Sequence, residues 1–142
     1  FHVVGAADGV TVVDDYAQAP TEIAATLAAA RTVATGRVIA IFQPHLYSRT
    51  QQLAEDFAHS LVEADICVVL PIYGAREEPL EGVTSELIAE PLRRAKNNGV
   101  ELVRTRHEAV EVVRQNAQCG DLVLLMGAGD VNQLAPVLLQ RS

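Results

Sequence analysis

Three short runs of this chain are apolar at every position: Val38-Ile39-Ala40-Ile41-Phe42, Ile66-Cys67-Val68-Val69-Leu70 and Leu122-Val123-Leu124-Leu125-Met126. A strand open to water on one face alternates apolar and polar side chains, so a continuous run marks a strand covered on both faces. Between the runs, apolar residues recur three and four apart, the period of an amphipathic helix. Ile23, Leu27 and Ala30 make such a stripe in a first helix expected from about Pro20 to Thr35, with Gly36 as its stop. Leu53, Phe57 and Leu61 make another in a second helix from about Arg49 to Ala64. A third helix, capped by Ser85, ends at Asn98-Gly99, before a short strand over Val100-Glu101-Leu102-Val103. A fourth runs from His107 to Gln118 with Ala109, Val112, Val113 and Ala117 inward. A closing helix puts Val131, Leu134, Val137 and Leu138 on one face. Strand and helix alternating in this way specify one α/β domain over residues 1–142, built on a doubly wound, mostly parallel Rossmann-like sheet with right-handed crossovers. The opening is different. Phe1–Val4 and Val10–Val13 flank Gly5-Ala6-Ala7-Asp8-Gly9, and Asp-Gly between β-prone runs predicts a hairpin. It adds one antiparallel strand at the sheet edge.

A chain of 142 residues that is 49% hydrophobic can bury a sizeable single core. Its net charge of −7, with no basic stripe, argues against nucleic acid or an anionic membrane surface as a partner. No apolar stretch approaches the length of a membrane span, and no signal peptide is visible. Cys67 lies inside an apolar run, which suits a reduced, buried thiol in a cytoplasmic protein better than a disulfide with Cys119. The chain opens on Phe1, already inside an expected strand, and is expected to be a piece of a longer polypeptide.

In an open α/β sheet, ligands bind beyond the carboxyl ends of the strands. The loops there are Asp14–Pro20, Gln43–Ser48, Pro71–Thr84, Arg104–Arg106 and Gly127–Asp130, and only the first two are dense in functional groups. In the first, Val12-Val13 stops at Asp14 and Asp15. Tyr16 and Gln18 follow, then Pro20 and Glu22 in a helix start that suits both residues. Two adjacent acids repel unless a donor or cation lies nearby. One acid alone would be read as a strand terminator or helix cap; the pair, with Tyr16 behind it, suggests a site. If the two strands are neighbours, Asp15, Tyr16, Gln18, His45, Tyr47 and Arg49 converge on one patch able to hold a small amphoteric ligand. Arg49 sits at a helix start, where a cation opposes the dipole, so a task such as gripping a carboxylate is a better account of it than solvation. His45 reads equally well as a loop histidine bonded to backbone. The segment Ala75-Arg76-Glu77-Glu78-Pro79 reads as a solvated surface loop. Gly127-Ala128-Gly129-Asp130 has the look of a phosphate turn, but it lacks both the third glycine of a dinucleotide fingerprint and the Lys-Ser/Thr of a P-loop, and tight strand-to-helix packing explains it better. The C-x-x-C, H-E-x-x-H and G-x-S-x-G patterns do not occur, so neither metal ligation nor a serine nucleophile is supported.

Three motifs, Asp14-Asp15-Tyr16-Ala17-x-x-Pro20-Thr21-Glu22-Ile23, Phe42-Gln43-Pro44-His45-Leu46-Tyr47-Ser48-Arg49-Thr50 and Met126-Gly127-Ala128-Gly129-Asp130, stand in the order found in the C-terminal domain of the Mur ligases, which the chain resembles from end to end. The Gln43–Thr50 segment is the specific one. Within the family it resembles the member that joins L-alanine to UDP-N-acetylmuramate in peptidoglycan synthesis. The resemblance implies a three-domain cytoplasmic ligase serving cell-wall biogenesis. Its first domain binds the UDP-sugar, and its central domain carries the P-loop and most of the contacts to ATP and Mg²⁺. The third domain packs on the central one, closes over ATP and brings the amino acid. ATP phosphorylates the muramic acid carboxylate, and the amine of L-alanine attacks the acyl phosphate. The resemblance puts Asp15 at the nucleotide ribose and Tyr16, Gln18, His45 and Arg49 around the amino acid, with Arg49 on its carboxylate; it also implies that the fragment alone is inactive. The family usually has two histidines where Gln18 and Ala19 stand here. Gln18 can hydrogen-bond but carries no proton near neutral pH, and Ala19 offers no polar group. The competing reading is a non-catalytic, flavodoxin-like module holding a phosphate or a protein partner at Gly127–Asp130.

Overall fold

The structure, a computed structural model, describes residues 1–127 and 130–140. Strands β1 (His2–Ala7) and β2 (Val10–Asp15) form the expected hairpin around Asp8-Gly9. Then come helix α1 (Pro20–Val33), β3 (Val38–Gln43), α2 (Tyr47–Leu61), β4 (Ile66–Val69), α3 (Glu86–Lys96), β5 (Val100–Leu102), α4 (Arg106–Asn116) and β6 (Leu122–Gly127). A 3₁₀ turn at Val131–Gln133 leads into α5 (Leu134–Leu139). The six strands stand in the order β1-β2-β6-β3-β4-β5, with only the β1–β2 pair antiparallel. Among the described residues no helix is long and apolar enough to cross a membrane.

The continuous apolar runs are explained by two covering layers. Successive side chains of a strand point to opposite faces, so Val38, Ala40 and Phe42 of β3 pack with Leu27 of α1, Phe57 of α2 and Leu92 of α3. Ile39 and Ile41 pack on the other face with Val110 and Val113 of α4 and Leu134 of α5. In α4 it is Val110 that is fully buried, while Val112 and Ala117 only flank the core; in α5, Val137 is partly exposed. The rest of each expected stripe holds, with Ala109 and Val113 buried in α4 and Val131 and Leu134 buried at the closing helix. Burial pushes the Cys67 thiol up to about 12, so it stays protonated, and Cys119 is free and exposed.

Two carboxylates tie the amino-terminal ends of the strands together. Asp121, buried just ahead of β6, accepts from Arg37 N and Gln118 N, each at 2.8 Å, and from Arg37 Nη2 at 3.2 Å. Asp65 accepts from Val38 N and from Arg31 Nη1, both at 2.8 Å. Burial pushes each carboxyl up, but these donors more than offset it and leave both below the ordinary range. A carboxyl held low in the folded state contributes stability above its unfolded value and loses it as pH falls through its folded one. Asp121→Asn substitutes an amide that cannot accept both backbone N–H groups. We expect a loss of about 2–4 kcal/mol near neutral pH, the range for stranding buried donors. The difference from wild type should shrink as pH falls below the ordinary carboxyl range and through the lower value of the folded Asp121 carboxyl. Urea titrations at a series of pH values check both; a pH-independent difference would remove the carboxylate from the account.

Candidate functional site

The carboxyl edge of the sheet does not have β2 beside β3. Strand β6 lies between them, pairing Asp15 with Met126 on one side and Gln43 with Gly127 on the other. The expected adjacency of the two polar loops is thus corrected. The crossover through α1 skips one strand position, and the last strand fills the slot from the opposite direction. With strands roughly 4.8 Å apart, the β2 and β3 loops start about 10 Å from each other. The chain leaves β3 toward the face covered by α2 and leaves β6 toward the face covered by α5. Connections that depart to opposite faces open a crevice at the strand ends, the position where open α/β sheets take their ligands.

Helix α1 closes the gap from the β2 side. Pro20 opens it, and Glu22 folds back so that its Oε1 accepts from Ala19 N at 2.9 Å and Gln18 N at 3.1 Å. These bonds hold the Glu22 carboxyl below its usual range; Asp15 nearby works against the lowering and the Arg49 cation adds to it. Glu22 therefore stands within electrostatic reach of both polar loops. The packing agrees. Pro20, Thr21 and Ala24 of α1 share a groove with Leu53 and Asp56 of α2, and Arg49 lies one turn before Leu53 on the same side of that helix.

The paired acids have separate partners. Asp14 Oδ1 is 3.5 Å from His2 Nδ1, its register partner across the hairpin. Asp15 Oδ1 accepts from Ala17 N at 2.8 Å, a local turn that fixes the carboxylate's direction. Tyr16 is 78% exposed, with its ring beside the dent that Asp14 and Asp15 share with Gly127 and Asn132. Gln18 is half-buried at the start of α1.

The β3 loop divides its residues between two sides. Arg49 faces α1, whereas His45 and Tyr47 lean on the segment after β4. The His45 ring stacks on Tyr73 with centroids 6.1 Å apart. Leu46 N donates to Tyr73 O at 2.9 Å, and Tyr73 N to Pro44 O at 2.8 Å. The Tyr47 ring packs so closely over Gly74 that a Cβ there would lie 2.6 Å from Cε2. Of the six residues expected to share a patch, Asp15, Gln18 and Arg49 lie around Glu22, Tyr16 borders the dent beside Gly127, and His45 and Tyr47 lean on Tyr73 and Gly74. Leu46, at φ +70°, is a strained conformation for a branched side chain. It persists because Tyr73 O takes its N–H and its own carbonyl accepts from Thr50 N and Oγ1.

Helix α2 begins at Tyr47, two residues earlier than its apolar stripe suggests, and its first turn contains no acid. The missing charge comes from Glu77, on the segment read from sequence as a solvated loop. Its Oε1 accepts from Ser48 N at 3.1 Å and its Oε2 accepts from Ser48 Oγ. Hydrogen bonds from the Ser48 side chain and backbone hold its carboxyl below the usual range. No local pattern announces this cap, because donor and acceptor are 29 residues apart. Ser85 likewise does not cap α3; its hydroxyl donates to Leu70 O, and Thr84 Oγ1 accepts from Glu86 N at 3.2 Å instead.

Of the glycine turn, Ala128 and Gly129 lie outside the described residues. Gly127 is accounted for by packing: it sits at φ +113°, and a Cβ would lie 2.2 Å from Gln43 O. Asp130 pairs with Arg106 at 3.3 Å. Among the described residues no cluster of three or more His, Cys, Asp or Glu side chains could hold a metal ion.

In this Rossmann-like domain the acids, amide and guanidinium stand near the point where strand order reverses, the place where open α/β sheets take their ligands. The chain belongs to the family described as Mur ligase, glutamate ligase domain, which matches residues 1–129. Over 98% of its length it is 51% identical to the UDP-N-acetylmuramate–L-alanine ligase of Saccharopolyspora erythraea, and over 99% it is 47% identical to that of Desulforamulus reducens. It spans 28% and 30% of those two proteins. The crystal structure of a UDP-N-acetylmuramate-alanine ligase from Thermotoga maritima superposes with a TM-score of 0.72 at 26% identity, covering 98% of this chain and 27% of that one.

Proposed function

We propose that this chain is the C-terminal domain of a cytoplasmic, three-domain ligase that uses ATP to add L-alanine to UDP-N-acetylmuramate in peptidoglycan synthesis. The observation that carries the reading is end-to-end likeness to proteins named for that activity. Arg49 receives the carboxylate of alanine as a two-pronged donor, a geometry a guanidinium offers and an ammonium does not. Tyr16, Gln18 and His45 border the same guest. Gln18 hydrogen-bonds without titrating, so it takes no proton from the amine. Asp15 faces the nucleotide ribose. The fit is chemical: a carboxylate offers about four acceptor positions, Ala17 N fixes one oxygen, and a ribose presents hydroxyl donors. ATP supplies the phosphoryl group that activates the sugar-acid carboxylate, with Mg²⁺ on its phosphates, and we assign their main binding groups to an upstream P-loop domain on which this one packs.

The test is ADP release by the longer polypeptide with UDP-N-acetylmuramate present. Release should require L-alanine, and the 142-residue chain alone should give none. Release that depends on a different amino acid would overturn the substrate, and turnover by the isolated chain would overturn the division of labour between domains.

A further inference from the structure

Arg49 can serve a carboxylate only if the first turn of α2 is held still, and that turn lacks what usually holds one. Leu46 at its start gives no side-chain cap, the turn has no acid, and a cation in it opposes the helix dipole. Everything that compensates comes from one segment, residues 72–77. Tyr73 bridges Pro44 and Leu46 and stacks on His45, Gly74 accepts the Tyr47 ring, and Glu77 takes both donors of Ser48, next to Arg49. The segment runs parallel to residues 44–48 as a strap beyond the end of the sheet.

We propose that this strap positions the amino-acid end of the site, and that Glu77 is a positioning residue acting on substrate through Ser48 and the first turn of α2, and so through Arg49. The inference rests on the assignment of Arg49 to the alanine carboxylate. Glu77 does not itself contact substrate. It supplies the negative charge the dipole calls for and satisfies the Ser48 N–H that α2 leaves unbonded. With Glu77 gone, the guanidinium keeps its charge but loses its fixed approach, and a fork-to-carboxylate bond is sensitive to direction.

The experiment is a double-substitution cycle in the full-length protein, read by steady-state kinetics with L-alanine and ATP each varied. Glu77→Ala should raise the KM for L-alanine about tenfold, the order expected for one net hydrogen bond lost from the holding of Arg49. The kcat and the KM for ATP should move less than about twofold. Glu77→Gln keeps one acceptor and should recover part of the loss, to about threefold. In an Arg49→Ala background, Glu77→Ala should add almost nothing, since residues that act in series are not additive. A tenfold effect that persists in that background, or equal rises in both Michaelis constants, would mean the strap only supports the fold, and the proposal fails. It fails too if Glu77→Ala leaves the KM for L-alanine unchanged. If Arg49→Ala alone leaves that constant unchanged, the assignment of Arg49 is the part that fails, whatever Glu77 does.

Discussion

Replacing Arg49 with alanine in the full-length ligase should raise the KM for L-alanine by roughly 10- to 150-fold while leaving the KM for ATP within about twofold. The lower figure corresponds to about 1.5 kcal/mol and the upper to about 3 kcal/mol, the range for a hydrogen bond to a charged group. Arg49 stands on the α1 side of α2, close enough to Glu22 to lower its carboxyl, whereas Asp15, the residue assigned to the nucleotide, lies across β6. Loss of the guanidinium therefore removes the proposed carboxylate contact and leaves the Asp15 carboxylate, assigned to the nucleotide, in place. A lysine keeps the charge but not the planar fork, so Arg49→Lys should fall between wild type and alanine. Equal rises in the two Michaelis constants would show that Arg49 supports closure of the whole site, and the carboxylate role would have to be given up.

What could be read from residues alone follows from how far each interaction reaches along the chain. The apolar runs at Val38, Ile66 and Leu122 announced buried parallel strands because periodicity is local, and all three lie in the centre of the sheet. The hairpin was equally legible, since Asp8-Gly9 carries its own turn chemistry. Asp15 and Arg49 drew notice as candidates because two acids in succession and a cation at a helix start each conflict with local preference. Strand order was not legible. Nothing in residues 10–43 says that β6, 79 residues after β3 ends, will insert between β2 and β3. For the same reason Glu77 was mistaken for part of a solvated loop: its role depends on Ser48, and a charged, proline-limited segment looks alike whether it faces water or a helix terminus. The start of α2 was missed by two residues because the charge at its first turn comes from Glu77, far along the chain.

That insertion brings β6 against β3 at a single tight step, and Gly127→Ala should be among the most damaging single substitutions in the chain. Two costs combine there. The backbone at φ +113° disfavours any L side chain, and the added methyl would stand 2.2 Å from Gln43 O and 3.0 Å from Gln43 N and C. The obstacle is the backbone of the neighbouring strand, which cannot rotate away as a side chain would. We expect a loss of about 2–4 kcal/mol, read as a drop in thermal midpoint of roughly 10 °C. Gly82 separates the two costs. It sits at φ +75° with no atom within 4 Å of a built Cβ, so Gly82→Ala carries the conformational cost alone and should lose only about 1 kcal/mol. The excess at Gly127 then measures the collision with Gln43. Because Gln43 and Gly127 are register partners where the crevice opens, relief by spreading β3 from β6 also moves the loop carrying His45 and the first turn of α2 that carries Arg49. Gly127→Ala protein that remains folded should therefore use L-alanine poorly, with the defect growing as the strands part. A Gly127→Ala variant no less stable than Gly82→Ala would mean the two strands do not meet as closely as this packing requires.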